Sequence, residues 1–169
     1  MKYFEIVVDE RVHYQYQIQQ IAWHKESEQQ FGVGYFKGEE EEVPDFIIFD
    51  KKILVSNALK QVIEMYDDLT QFTLVVLSNL ELKVQKEYYM VEAAHIDALS
   101  EKTTYLKNGW IDTMYFSAQK VADYKVFHLQ DEKANAFTPI HLYMDLDIVE
   151  SILRRALWGM CFKEILLEA

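Results

Sequence analysis

The sequence predicts an α+β fold, in which a single domain has a largely antiparallel sheet with two or three helices packed on it. Most apolar segments are short and either alternate with polar residues or form continuous runs, as strands do, and only two segments combine helical spacing with clear start signals. Strand and helix do not alternate regularly, which argues against parallel βαβ units. No repeat of fixed period and no linker divides the 169 residues, so we expect one domain, of which residues 1–43 could form an N-terminal subdomain.

The first half of the chain predicts four strands and contains one ambiguous segment. Residues 3–8 are aromatic and β-branched, and residues 31–36 alternate around two glycines. Residues 45–55 and 72–77 are apolar runs that predict two more strands. The segment RVHYQYQIQQIAWH, residues 11–24, begins with the alternation of a strand and ends with the spacing of a helix, and both interpretations stay open.

The segment FDKKILVSNALKQVI, residues 49–63, changes from a strand pattern to a helix pattern at Ser56. The spacing that follows predicts a helix over residues 57–66. Its expected buried side chains stand at i, i+3, i+4 and i+7: Leu59, Val62, Ile63 and Tyr66. Because the Ser56 hydroxyl can accept a hydrogen bond from an amide of the first turn, we interpret this residue as the helix N-cap; a functional hydroxyl is the alternative.

The second half of the chain predicts mostly strands. Asn108-Gly109 is a hairpin signal, because asparagine and glycine tolerate the backbone of a tight two-residue turn. The predicted strands cover residues 87–94, 103–106, 110–116, 124–129, 140–144 and 160–167.

The last predicted helix has the clearest signals at both ends. Asp147 and Glu150 have the spacing of a capping box, Arg154 lies in the last turn, and Gly159 follows the end of the helix. The expected buried stripe consists of Val149, Ile152, Leu153 and Ala156.

The balance of charges restricts the class of partner. The chain has 28 acidic and 17 Lys or Arg side chains, which gives a formal net charge of -11. This charge repels phosphates and anionic lipid, so we expect neither nucleic acid nor a membrane surface as a partner. A basic protein surface would be attracted, although acidity that serves only solubility is the alternative. The single Cys161, and an N-terminus without the features of a signal peptide, predict a cytoplasmic protein.

The sequence contains no motif for a catalytic, cofactor-binding or metal-binding site. Gly32 and Gly34 lack the third glycine and the following helix of a nucleotide-binding loop. His95 and Asp97 supply two ligands, whereas a zinc site needs three or four. Cys161 lies in an apolar segment, which predicts a buried and unreactive thiol. We therefore expect no catalytic residues, no cofactor and no metal.

The candidate partner-binding residues are acidic or aromatic. A run of four glutamates forms a polar loop, and an Asp-Asp pair follows the first predicted helix; either group could form an acidic contact surface, although ordinary turn and solvation roles explain both. Trp110 stands next to a glycine turn, which favours partial exposure, and exposed aromatics often anchor protein interfaces. The candidates are Glu39, Glu40, Glu41, Glu42, Asp67, Asp68 and Trp110.

Three stretches resemble a known family of bacterial proteins. PDFIIFDKKILVSNALKQVIEMY, residues 44–66, and MDLDIVESILRRALWGMCFKEI, residues 144–165, combine strands with a Ser-initiated and an Asp-led helix, and YYMVEAAHIDALSEKTTY, residues 88–105, fits as well. In these stretches the sequence resembles the immunity protein 11 family of polymorphic toxin systems. The resemblance implies a cytoplasmic protein that binds a cognate toxin domain and blocks it without chemistry of its own, and no catalytic residues carry over. Residues 1–43 match least.

Two other hypotheses stay open from the sequence. The first is a small enzyme, such as a hydrolase, in which His141, Asp145 and their neighbours converge on a pocket whose titratable groups have perturbed pKa values. The second is an oligomeric scaffold, which would present a large self-complementary apolar interface. The sequence does not specify the oligomeric state.

Overall fold

The chain folds mainly as β-sheet. The computed structural model describes residues 1–13, 17–38, 43–130 and 140–169. Strands make up 53% and helices 16% of the described residues, in two curled six-stranded sheets, one two-stranded sheet and four short helices. The predicted α+β fold, with one sheet and two or three packed helices, is therefore wrong. The reason is that the strands, which were expected in one sheet, pair in two separate sheets of six, whereas none of the four described helices is longer than nine residues.

The first sheet contains the N-terminal and C-terminal strands of the chain. β1 is central, because it pairs on both sides with antiparallel neighbours. In spatial order the strands are β11 (Tyr115–Ser117), β14 (Met160–Glu168), β1 (Tyr3–Val8), β13 (Leu142–Asp145), β12 (Val126–Leu129) and β8 (Ala94–Ile96).

The second sheet contains the middle strands. In spatial order they are β2 (Gln17–Glu26), β3 (Gln29–Lys37), β6 (Gln71–Asn79), β7 (Val84–Glu92), β5 (Lys52–Ser56) and β4 (Phe46–Phe49). A separate two-stranded sheet pairs β9 (Thr104–Tyr105) with β10 (Ile111–Thr113). The helices are α1 (Glu10–His13), α2 (Asn57–Glu64), α3 (Ala118–Val121) and α4 (Leu146–Arg154).

Three apolar clusters fill the space around the two sheets. The central cluster lies between the sheets and joins β1, β5, β7 and β13 to both longer helices, α2 and α4. A second cluster, rich in aromatic rings, covers the other face of the first sheet, and a third covers the other face of the second sheet. Alternation along the strands explains this arrangement: Leu142 and Met144 point to the central cluster, whereas Tyr143 points to the second.

Two strand–helix units of the same construction meet in the central cluster. In each unit the last residue of a strand is also the N-cap of the following helix. The Ser56 hydroxyl accepts a hydrogen bond from the Leu59 amide at 3.1 Å, and the Asp145 carboxylate accepts one from the Ile148 amide at 3.2 Å. The prediction that Ser56 caps a helix is thus confirmed. α2 and α4 pack against each other, so the two units bring their helices side by side.

Several predicted elements need correction. The single strand expected over residues 45–55 is a hairpin, because Asp50 and Lys51 both adopt positive φ angles, 47° and 58°, and turn the chain between β4 and β5. The ambiguous residues 11–24 contain the end of α1 and most of β2, on either side of residues 14–16. None of the helices in the described ranges is long and apolar enough to cross a membrane.

The ends of α4 also differ from the prediction. Its N-cap is Asp145, so Asp147 and Glu150 do not form the expected capping box. The left-handed residue after the helix is Ala156, with φ 52°, whereas Gly159 lies three residues later at the start of β14. Gly159 has φ 92° and packs so close to Pro44 that an added Cβ would lie 2.3 Å from the proline Cβ. This glycine therefore permits a close approach between chain segments and does not end the helix.

Candidate partner-binding surface

The C-terminal ends of α2 and α4 lie next to each other at the surface. Met65 follows the last residue of α2, and its sulfur is 3.6 Å from a guanidinium nitrogen of Arg155, the C-cap of α4. Both helices turn their apolar faces into the central cluster, with Ile63 and Ile152 fully buried. The packing that buries one face of each helix therefore also brings the two ends together.

Large apolar side chains are exposed at this junction. Met65 is 61% exposed, Leu69 60%, Leu153 60% and Tyr66 40%. These are four of the ten large apolar residues that are exposed in the described part of the chain; three of them lie within residues 65–69, and Leu153 is in the last turn of the adjacent α4. We call these four residues the helix-end surface. Single exposed apolar residues are ordinary, but adjacent ones indicate a binding site.

A tight turn after α2 presents part of this surface. The amides of Tyr66 and Asp67 both donate to the Ile63 carbonyl, at 3.0 and 2.9 Å, which ends the helix. The buried Asp67 carboxylate then accepts hydrogen bonds from the amide and the hydroxyl of Thr70, at 2.9 and 2.5 Å. These hydrogen bonds stabilise the turn, in which Leu69 is exposed.

Charged groups surround the apolar residues. Arg154 pairs with Glu150 at 3.1 Å, and the Arg155 guanidinium donates to the Ser151 hydroxyl at 2.5 Å. Asp68 is exposed beside Leu69 and forms no ion pair with another residue in the described ranges. An apolar centre with a charged border is the usual composition of a protein–protein interface.

The predicted contact residues lie in three different places. Asp68 is at the edge of the helix-end surface, and Asp67 stabilises the turn that carries it. Trp110 is 49% exposed, as predicted, and lies at the end of the β9–β10 hairpin, where its carbonyl accepts from the Leu106 amide. The glutamates of the predicted acidic loop, residues 39–42, lie outside the described residues.

Sequence reasoning missed the four residues of the helix-end surface. Tyr66 and Leu153 were expected in the buried stripes of their helices, and that prediction is wrong. Tyr66 lies two residues beyond the end of α2, and Leu153 faces solvent because the buried face of α4 is formed by Ile148, Val149 and Ile152. The Asp67-Asp68 pair was a usable stop signal, since it places Tyr66 at the end of the helix.

The residues of the enzyme hypothesis are not brought together. The His141 ring is 2.5 Å from a Glu5 carboxylate oxygen, whereas Asp145 caps α4 and pairs with Lys125. Within the described ranges no group of three or more His, Cys, Asp or Glu side chains could hold a metal ion. Cys161 is exposed, so the predicted burial of its thiol is wrong; it is on β14, where alternation points it away from the core.

No family model matches the chain, and no curated protein sequence matches it. The resemblance to the immunity protein 11 family therefore stays a prediction from the sequence.

Proposed function

We propose that this chain is a non-catalytic, immunity-type protein that binds a cognate bacterial toxin domain and neutralises it by occlusion. The observation that carries the proposal is the helix-end surface, where four large apolar side chains remain exposed at the junction of two helices. The resemblance in sequence supplies the class of the partner. We also propose that the protein acts in the bacterial cytoplasm, where an exposed free thiol such as that of Cys161 stays reduced.

A partner that covers the helix-end surface would bury the exposed apolar area of its four side chains, and this burial favours binding. Full burial of a Leu-sized side chain contributes about 1.5–3 kcal/mol, so four side chains that are about half exposed contribute on the order of 3–6 kcal/mol. Association itself costs about 4–15 kcal/mol in lost translational and rotational freedom. The helix-end surface therefore needs further contacts, and a partner of opposite charge suits a chain with a net charge of -11.

The decisive test is a calorimetric titration of this protein with the toxin domain encoded by the adjacent gene, at about 50 mM and about 300 mM salt. We expect tight binding that weakens with salt, together with loss of the toxic activity. A toxin domain that gives no heat and remains toxic while both proteins are folded would contradict the proposed function.

A pair of matched variants tests the surface. Leu69→Ser and Leu153→Ser each remove an apolar side chain that is exposed in the free protein, so we expect normal stability and at least about tenfold weaker binding. Leu80→Ser is the control, because Leu80 is 74% exposed on the turn between β6 and β7. Equal weakening by all three variants, or by none, would exclude the helix-end surface as the binding site.

A further inference from the structure

A cleft lies where the two six-stranded sheets adjoin. It has a volume of about 680 Å³ and lies at the crossing from β7 of the second sheet to β8 of the first. This volume is in the range of small-molecule sites, about 300–1,000 Å³. We call it the sheet-junction cleft; its polar and aromatic lining residues are Trp23, Gln30, Lys51, Lys52, Glu92, His95 and His128.

Two lysines make one side of this cleft cationic. Lys51 is in the turn between β4 and β5 and Lys52 is the first residue of β5, and neither forms an ion pair with any described residue. The Lys52 ammonium lies 5.7 Å from the centre of the Trp23 ring, so a cation–π contact holds it at the cleft wall. Lys51 has φ 58°, a conformation that favours glycine, and this turn keeps its side chain exposed at the rim.

Two histidines also line the cleft. His95 on β8 and His128 on β12 lie opposite each other in this parallel strand pair, and their ring centres are 4.8 Å apart. His95 is exposed, whereas His128 is 2% exposed and its Nδ1 lies 2.7 Å from the His141 carbonyl oxygen. Since a carbonyl only accepts, Nδ1 carries the hydrogen, which fixes the orientation of the buried ring. The exposed His95 ring therefore packs against a buried ring whose orientation is fixed.

The combination of these groups defines the chemistry of a ligand. Lys51 and Lys52 contribute two positive charges and Glu92 one negative charge, so the cleft is locally cationic on a chain that is acidic as a whole. Unpaired ammonium groups bind phosphate or carboxylate by charge-assisted hydrogen bonds. The indole of Trp23 supplies an aromatic wall.

We propose that the sheet-junction cleft binds a small organic anion in which a phosphate or carboxylate is joined to a planar ring. Lys51 and Lys52 hold the anionic group, and the wall at Trp23 contacts the ring. This site is separate from the helix-end surface, because none of its lining residues belongs to α2, α4 or the turn after α2. It therefore goes beyond the proposed function and does not depend on it.

The test is an amide NMR titration of the full chain with adenosine 5′-monophosphate, adenosine and inorganic phosphate. Each probe is added to about 5 mM, which detects dissociation constants in the millimolar range. We expect the monophosphate to shift the signals of the cleft residues and to bind at least about fivefold more tightly than adenosine or phosphate, because only it has both the charge and the ring. No shifts in the cleft would overturn the site, and equal binding of monophosphate and inorganic phosphate would overturn the role of the ring.

A matched pair of lysine variants separates a specific site from general attraction. Lys51→Gln and Lys52→Gln should each weaken the binding of the monophosphate about five- to tenfold. Lys83→Gln is the control, because Lys83 is also exposed and also has a positive φ angle, 55°, but lies in the turn between β6 and β7. Equal weakening by Lys83→Gln would show attraction by net charge alone and would contradict the proposal.

Discussion

At the scale of single residues, His128 is the histidine with the most restricted environment. Burial lowers the pKa of its ring below the usual value of 6.5, the nearby His95 lowers it further, and the carbonyls of His141 and Val91 oppose the shift. The folded state therefore holds this ring neutral at neutral pH. The sequence did not distinguish it from the other four histidines, because its environment is assembled from β7, β8 and the residues before β13.

The lowered pKa predicts a pH dependence of stability. Because the unfolded state binds the proton more readily, the contribution of His128 is fully present above about pH 6.5 and is lost as the pH falls below it. The expected slope is at most about 1.4 kcal/mol per pH unit for one proton. Urea unfolding of the wild type and of His128→Asn, between pH 7.5 and pH 5, measures this contribution as the difference between the two slopes.

Asparagine keeps an N–H donor near the His141 carbonyl but cannot take up a proton, so we expect a less stable variant with a flatter pH profile. His24→Asn provides the comparison, since His24 is exposed on β2. Parallel pH profiles for the wild type and His128→Asn would show that His128 is not responsible for the slope.

At the scale of the elements, the start of α2 connects distant parts of the chain. The Ser56 hydroxyl accepts from the Leu59 amide and donates to the Asp45 carboxylate at 2.6 Å. The same carboxylate accepts from the Trp158 amide at 2.8 Å, in the link between α4 and β14. Sequence reasoning found Ser56 from its position before a helix, but Asp45 and Trp158 are joined to it only by the fold.

These contacts predict the cost of removing the Ser56 hydroxyl. Ser56→Ala deletes the N-cap of α2 and one partner of the Asp45 carboxylate, so we expect a loss of about 1–2 kcal/mol in the free energy of unfolding. Ser117→Ala is the control, because Ser117 precedes α3 but its side chain forms no capping hydrogen bond. Urea unfolding curves of the two variants should therefore differ; equal destabilisation would mean that the cap at Ser56 does not stabilise α2.

Local sequence signals are sufficient to predict some of the strands but not all of the turns. β1 and β14 were predicted to within one residue, because aromatic and β-branched runs bounded by polar residues specify strands locally. The turn between β4 and β5 was missed, since Asp50-Lys51 contains no glycine although both residues adopt positive φ angles. The fold class was also missed, because periodicity does not indicate which strands pair, and therefore whether they form one sheet or two.

The candidate site depends on the same limit. Leu153 has the spacing of a buried residue, but the buried face of α4 is formed by Ile148, Val149 and Ile152. Successive residues of a helix point about 100° apart, so Leu153 lies to the side of the fully buried Ile152 and remains exposed. The residues that a partner can contact thus depend on how the helix packs against the sheets, which spacing alone does not specify.

At the scale of the whole molecule, net charge determines how a partner approaches. A formal charge of -11 on 169 residues produces a negative potential that accelerates encounter with a basic protein, most strongly at low salt. The four glutamates at positions 39–42 are the densest acidic run in the sequence, and their charges contribute to this field whether or not they touch the partner.

Replacing Glu39, Glu40, Glu41 and Glu42 by glutamine changes the net charge from -11 to -7, because four negative charges are lost. We expect association with the proposed toxin partner to slow several-fold at low salt and to depend less on salt, with little change in the dissociation rate. Stopped-flow measurements of the association rate at several salt concentrations test this expectation, and an unchanged rate at low salt would exclude the run as a steering element.

A second variant with the same net charge separates the run from the charge of the whole molecule. Its four substitutions by glutamine are at exposed glutamates that form no ion pair with described residues: Glu26, Glu28, Glu81 and Glu87. If steering comes from the run at residues 39–42, this second variant keeps most of the wild-type rate at low salt, because the field near the contact is unchanged. Equal slowing of both variants would instead assign the attraction to net charge, and the helix-end surface would then be the only part of the proposed interface with a specific position.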